Sequence, residues 1–390
     1  MNANPAIPRG VWMLGLVSLF MDISSELIHS LLPVFMVTSL GASALIVGVV
    51  EGVAEATAQI VKVFSGTISD YIGKRKGLTV LGYGLGALSK PMFALALSVQ
   101  WVFAARFMDR IGKGIRGAPR DALIADLTPQ EIRGAAYGLR QSLDSVGAFA
   151  GPLLAVVLML LWAGDFRTVF WFAVIPAAIA VLILVFGVQE PSAAGPARRP
   201  SSPIAWRTLS GLGRDYWWVV GAGAVFTLAR FSEAFLILRA QQIGLSDSLA
   251  PLVLVAMNVV FAVSAYPIGR LADRADHKML LGLGLAVLIS ADLILAQAQS
   301  LVGVAIGVML WGLHMGMTQG LLATMVAAAA PANLRGTAFG FFNLMSGIAM
   351  LAASVLAGLL WDKLGSATTF YAGAVFSALA VFMLVGHQRG

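Results

Sequence analysis

A chain of 390 residues that is 59% hydrophobic and 12% charged, with 42 glycines and a mean hydropathy of +0.86, is not a typical soluble domain. Roughly a quarter of a soluble domain is charged, so these values predict a polytopic membrane protein. The net charge of +7 does not point to nucleic acid, because Lys and Arg gather in short segments between apolar runs, and the absence of cysteine excludes disulfides, thiolate metal sites and cysteine nucleophiles.

A spanning helix needs about 20 mainly apolar residues. The first such run, from about Val11 to Met36, is too long for a signal-peptide core and lacks a small-residue cleavage site. It nevertheless contains Asp22, Glu26 and His29, which at i, i+4 and i+7 share one helical face. A charge at mid-bilayer costs at least ~2.5–3.5 kcal/mol, so such a face is expected to meet a cavity or other charges. The second run, 44–70, carries Glu51 and Glu55 on one face and then Lys62. The third, 78–98, has Lys90 before Pro91. The fourth, 100–126, cannot face lipid: Arg106, Arg110, Lys113 and Arg120 form one stripe, with Asp109 and Arg116 beside it. The fifth, 135–162, bears Arg140 and Asp144, and the sixth covers 168–188.

Residues 190–215, "EPSAAGPARRPSSPIAWRTLSGLGRD", are rich in Pro, Ser, Gly and Arg and read as a linker. Six further runs follow at 216–241, 249–271, 279–298, 301–329, 337–361 and 368–387. The seventh carries Arg230, Glu233 and Arg239, the ninth Asp292, and the tenth His314. The expected organisation is an N-terminal six-helix bundle (1–189), a linker (190–215) and a C-terminal six-helix bundle (216–390). The linker arginines, "GKRKG" (73–77) and "DRADHK" (273–278) fall on one side, which places both termini in the cytoplasm.

The halves repeat each other. "TPQEIRGAAYG" (128–138) and "APANLRGTAFG" (330–340) agree at five positions with an offset of 202. "GTISDYIGK" (66–74) and "GRLADRADH" (269–277) agree at Gly66/Gly269 and Asp70/Asp273 with an offset of 203. Internal duplication of this kind marks secondary transporters.

In "GTISDYIGKR", Gly66, Asp70, Gly73, Lys74 and Arg75 stand in register with the Gly-x-x-x-Asp-x-x-Gly-Arg/Lys-Arg/Lys motif of the major facilitator superfamily, with Tyr71 where a basic residue is common. Over essentially its whole length the chain resembles that superfamily. The resemblance implies an all-α integral membrane protein with twelve transmembrane helices in two pseudo-symmetric six-helix bundles. It also implies a cytoplasmic latch, in which Asp70 lies near the start of helix eleven and Lys74 pairs with Asp126 at the end of helix four. "GAFAGPLL" (147–154) is similar to the Gly-x-x-x-Gly-Pro motif of the superfamily's antiporters through Gly147, Gly151 and Pro152, though Ala155 and Val156 replace its closing glycines. That leans toward export.

The expected function is therefore secondary active transport by alternating access in the bacterial inner membrane, as a monomer without a cofactor, exchanging a small anionic or zwitterionic solute for protons. Asp22 and Glu26, with Glu55 as an alternative, are the candidate proton-coupling groups, because burial and nearby cations pull a carboxylate's proton affinity in opposite directions. Arg106, Arg110, Lys113, Arg140, Asp144, Arg230 and Glu233 are the candidate substrate contacts, since arginine can hold a carboxylate or phosphate bidentately. Proton symport of an organic anion, and divalent metal export through Asp22, Glu26 and His29, stay open as alternatives. A purely structural ion-pair network also remains open. No P-loop, His-Glu-x-x-His or Gly-x-Ser-x-Gly pattern supports an ATPase or membrane hydrolase.

Overall fold

A computed structural model describes residues 7–72, 74–190, 211–272, 276–318, 320–331 and 334–386. Gly73, Asp273, Gln319 and most of the linker lie outside these residues, as does the side chain of Asp70. Among the described residues the structure is helical, with no strand. The first half comprises α1 (Arg9–Thr38), α2 (Ala44–Ile72), α3 (Arg75–Ala94), α4 (Val99–Leu127), α5 (Arg133–Leu161), α6 (Phe166–Phe172) and α7 (Val174–Leu182). The second comprises α8 (Arg214–Ala229), α9 (Ala234–Gln242), α10 (Leu252–Ala272), α11 (His277–Gln297), α12 (Leu301–Thr318), α13 (Leu321–Ala329), α14 (Arg335–Leu364) and α15 (Ser366–Gly386).

Three of the predicted runs are broken helices. The sixth divides at Ala173, because Pro176 lacks an N–H and its ring crowds the carbonyl four residues earlier. The carbonyl at the break also accepts a hydrogen bond from Ser24 Oγ of α1 at 2.7 Å. The seventh opens between α8 and α9, where Ser232 Oγ accepts from the Ala234 amide at 3.2 Å. The tenth turns at Gly320, whose φ of 86° favours a residue without a Cβ.

Among the described residues, ten helical segments are long and apolar enough to cross a membrane. α3 and α4 supply the two other predicted spans and fall short on apolarity. On α4, Arg106, Asp109, Arg110 and Arg116 are buried within the protein, so an apolar helix is not what that position requires. α3 and α4 meet closely: a Cβ on Gly112 would stand 2.6 Å from the Gly82 carbonyl oxygen.

The chain separates into two compact units whose boundary differs from the linker-based division. Residues through His29 and those from Thr57 onward in the first half form one unit; Ser30–Ala56 groups with the second half. Thus α1 and α2 each contribute to both. In the first unit, Val11, Leu14, Val17 and Met21 of α1 pack with Tyr83 of α3, Leu123 of α4 and Leu184 beyond α7. In the second, Tyr216, Val219 and Val220 of α8 pack with Val326 of α13 and Phe342 of α14.

Candidate functional site

The polar face of α1 is set against α5. Gly147 and Gly151 let the helices touch there: a Cβ on Gly147 would stand 2.8 Å from Asp22 Cβ, and one on Gly151 2.8 Å from Glu26 Cβ. The Gly-x-x-x-Gly spacing therefore seats the stems of the two carboxylates directly.

The two carboxylates have different surroundings. Glu26 Oε2 lies 3.3 Å from His29 Nδ1 and also faces Lys113 and Arg110. Asp22 faces Asp144, Arg116, Lys113 and Glu26, yet makes no direct hydrogen bond or ion pair among the described residues. Asp144 is held instead by Arg140, whose Nη1 donates to Oδ2 at 2.6 Å. Lys113 is exposed, whereas Arg106 and Arg110 are each 2% exposed.

A second set of charges lies between α3 and α4. Lys90 Nζ donates to Asp109 Oδ1 at 2.8 Å and to Ser25 Oγ of α1 at 3.0 Å. Asp109 Oδ2 is 3.4 Å from Arg110 Nε, and Arg106 and Arg116 face the same carboxylate. Arg116 also lies over the Tyr83 ring, 4.6 Å from its centroid. The Tyr83 hydroxyl is 3.1 Å from Ser18 Oγ, which accepts from Arg120 Nη1. The fourth-helix stripe is thereby divided: Arg106 and Arg110 belong to a buried network about Asp109, and Lys113 presents its charge beside Asp22 and Glu26.

Of the other predicted site residues, Glu55, Arg230 and Glu233 belong to the second unit. Asp22, Glu26 and His29 do not gather into a group able to hold a metal, and no such group of three exists among the described residues. At the latch, Arg75 rather than Lys74 pairs with Asp126, at 2.7 Å. Lys74 stands just before α3 and makes no capping bond, so the register of that helix start decides which basic residue reaches α4. Gly66 approaches α4, with Ala118 Cβ 3.3 Å from where its own Cβ would be. Glu190 is a contact sequence reasoning missed: its carboxylate accepts from the amides of Arg75 and Lys76, both at 2.7 Å, and so caps α3. Its place at the linker start was the only signal.

The sequence model of the Major Facilitator Superfamily matches residues 14–354. An uncharacterised MFS-type transporter of Methanocaldococcus jannaschii is 30% identical over 388 residues, covering 97% of this chain and 95% of its own. The multidrug resistance protein MdtH of Proteus mirabilis is 30% identical over 177 residues, 45% of this chain and 42% of its own. A crystal structure of a POT family transporter in complex with a thioalcohol-conjugated peptide has the same fold, with a TM-score of 0.81 at 14% identity over 97% of this chain and 95% of that one.

Proposed function

The chain belongs to the major facilitator superfamily of transporters and is a multi-pass membrane protein, and from that premise we propose that it moves a small solute by proton-coupled exchange, with Asp22 as the carboxylate that takes and releases the proton. The observation that carries this reading is the isolation of Asp22: four charged groups face it, and none bonds to it directly. A carboxylate poised between burial, like charge and opposite charge responds to small changes in any of them. Glu26, bonded to His29, tunes this site rather than acting alone. Lys113, exposed and facing both carboxylates, is the contact for a negative group on the solute in the symport reading given below. The inner membrane is the proposed location, with both termini cytoplasmic.

Export is the leading direction. Gly147, Gly151 and Pro152 favour it, as does the likeness to a protein named for multidrug resistance. Symport is the second reading, favoured by the placement of Lys113: a solute anion that engages it removes counter-charge from Asp22 and so favours proton and solute bound together.

The test is a panel of anionic, zwitterionic and cationic solutes in proteoliposomes with an imposed pH gradient. Solute and protons moving in opposite directions support export by antiport. Movement in the same direction replaces it with symport, and flux indifferent to the gradient overturns proton coupling.

A further inference from the structure

The second unit contains a carboxyl group that the proposed cycle does not use. Asp292 of α11 is 0% exposed, and neither of its carboxylate oxygens has a hydrogen-bonding partner among the described residues. A glycine and an aromatic ring stand beside it. A Cβ on Gly373 of α15 would stand 2.6 Å from Asp292 Oδ2 and 3.0 Å from the Phe231 ring. Phe231, in the break between α8 and α9, has its centroid 5.2 Å from that of Trp311 and 5.6 Å from those of Phe235 and Phe370. The carboxyl group thus borders an aromatic cluster that includes Phe231, Phe235, Trp311 and Phe370.

The titratable groups of the surrounding elements make no bond to Asp292. α11 packs on α12, α15 and α13. α12 offers His314, whose Nδ1 is 2.8 Å from the Gly284 carbonyl oxygen, roughly two turns along α11 from Asp292. α15 offers only Tyr371, which is 41% exposed, and α13 offers no titratable group. Arg239 of α9 donates to the carbonyls of Leu295, Ala296 and Ala298 at the end of α11, to Ser366 Oγ and to Gln242 Oε1. Arg230 lies over the Phe226 ring at 5.8 Å and faces Glu233. None of these groups bonds to Asp292.

The internal repeat shows what is missing. At an offset of 202, Asp292 corresponds to Lys90 and Trp311 to Asp109. In the first half those two positions form the buried ion pair at 2.8 Å. In the second, one position retains an ionisable group and the other holds an indole ring. An ionised carboxylate with neither donor nor counter-charge in such an interior is far costlier than its neutral acid.

We infer that Asp292 is a second proton-binding site of this transporter, loaded with its proton in the packing described here and separate from the Asp22 site. The proton neutralises Asp292, as the pairing of Lys90 with Asp109 neutralises the corresponding place in the first half. This goes beyond the reading given for Asp22 and does not depend on solute or direction.

The test is infrared difference spectroscopy of the full-length protein in liposomes, wild type minus Asp292→Asn, at neutral pH. The amide is isosteric with the neutral acid, so the fold is retained. The expected difference is loss of the carbonyl stretch of a protonated carboxyl, and the same loss when the subtraction is made in an Asp22→Asn background. Loss of an ionised-carboxylate band instead overturns the inference. So does a protonated-carboxyl band that vanishes on Asp22→Asn alone, since the proton then belongs to the first site. Because the spectrum reads a chemical group and not a flux, failure of proton-coupled transport in the flux assay leaves this result standing, and the reverse also holds.

Discussion

Asp362 at the end of α14 bonds to Leu45 at the start of α2: its Oδ2 accepts from the Leu45 amide at 2.9 Å, while Oδ1 accepts from Ala44 at 3.1 Å. Both partners lie in the second unit. The first amides of a helix have no partner within it, and a carboxylate there satisfies them and complements the helix dipole. Small residues allow the approach. A Cβ on Gly358 would stand 2.5 Å from the Ala44 carbonyl oxygen, and one on Gly48 2.2 Å from that of Ser354. Losing a cap of this kind costs about 1 kcal/mol. Asp362→Ala should therefore lower the melting temperature of the detergent-purified protein by a few degrees, and Asp362→Asn by less, because an amide oxygen still accepts. An unchanged melting temperature for Asp362→Ala would show that the bond contributes nothing.

The same close contact gives a prediction about accessibility. Gly48→Leu should force α2 from α14 and expose Ser354, which is 0% exposed in the present packing. The chain has no cysteine, so a single Ser354→Cys reports without background. Its reaction with a membrane-impermeant maleimide should rise in the Gly48→Leu variant. Equal reaction in both backgrounds would count against the contact.

At the α1–α5 crossing, Gly151→Val should separate the helices that carry Glu26 and Pro152. Overpacking of this kind costs about 1–3 kcal/mol. Proton-driven flux should fall with stability. Gly138 on the same helix has nothing within 4 Å of its Cβ position, so Gly138→Ala serves as the control and should leave both nearly unchanged. If the two substitutions behave alike, the crossing is looser than its geometry implies.

Much of this architecture is legible in the sequence. The apolar runs locate the helices, and the spacing of Asp22, Glu26 and His29 gives their common face. The Gly-x-x-x-Gly pattern announces a close crossing, although only the fold shows that Asp22 and Glu26 fill it. What the sequence withholds is register between helices. It displays Lys90 and Asp109 but not their pairing, and the family motif points to Lys74 where the fold sets Arg75 against Asp126. Charge alone could not divide the α4 stripe, because burial separates Arg106 and Arg110 from Lys113. Nor could Asp292 be recognised as isolated, since isolation depends on what the neighbouring helices fail to supply.

The network around Lys90 predicts an asymmetry. Lys90→Met leaves Asp109 facing Arg106, Arg110 and Arg116, so the carboxylate keeps its counter-charge. Asp109→Asn leaves Lys90 and three arginines in a buried cluster without that carboxylate. Breaking a buried pair costs about 3–5 kcal/mol, and the larger loss falls where the remaining charges repel. Asp109→Asn should therefore reduce the folded yield and thermal stability more than Lys90→Met does. The opposite order would mean that the arginines' other contacts, such as Arg110 with Glu26, outweigh Asp109.

The final prediction concerns how solute and proton communicate. Asp22 and Glu26 share Lys113 as an exposed cation. An anionic solute that engages Lys113 competes with both carboxylates for the same charge. As it binds, Asp22 loses counter-charge and gains a like charge nearby, and both changes favour uptake of a proton. By reciprocity, protons tighten the binding of such a solute. Under the symport reading, affinity for an anionic solute should therefore rise as pH falls, by up to tenfold for each ~1.4 kcal/mol of coupling, whereas exchange requires it to fall. Lys113→Ala should weaken binding and flatten this pH dependence, Lys113→Arg should restore it in part, and Asp22→Asn should abolish the pH dependence while retaining binding. A cationic solute gives the opposite sign, since it competes with the proton for Asp22, and that competition is what antiport requires. The slope of affinity against pH, measured before any flux experiment, thus distinguishes exchange from co-transport. An affinity independent of pH in the wild type would remove Asp22 from the coupling mechanism.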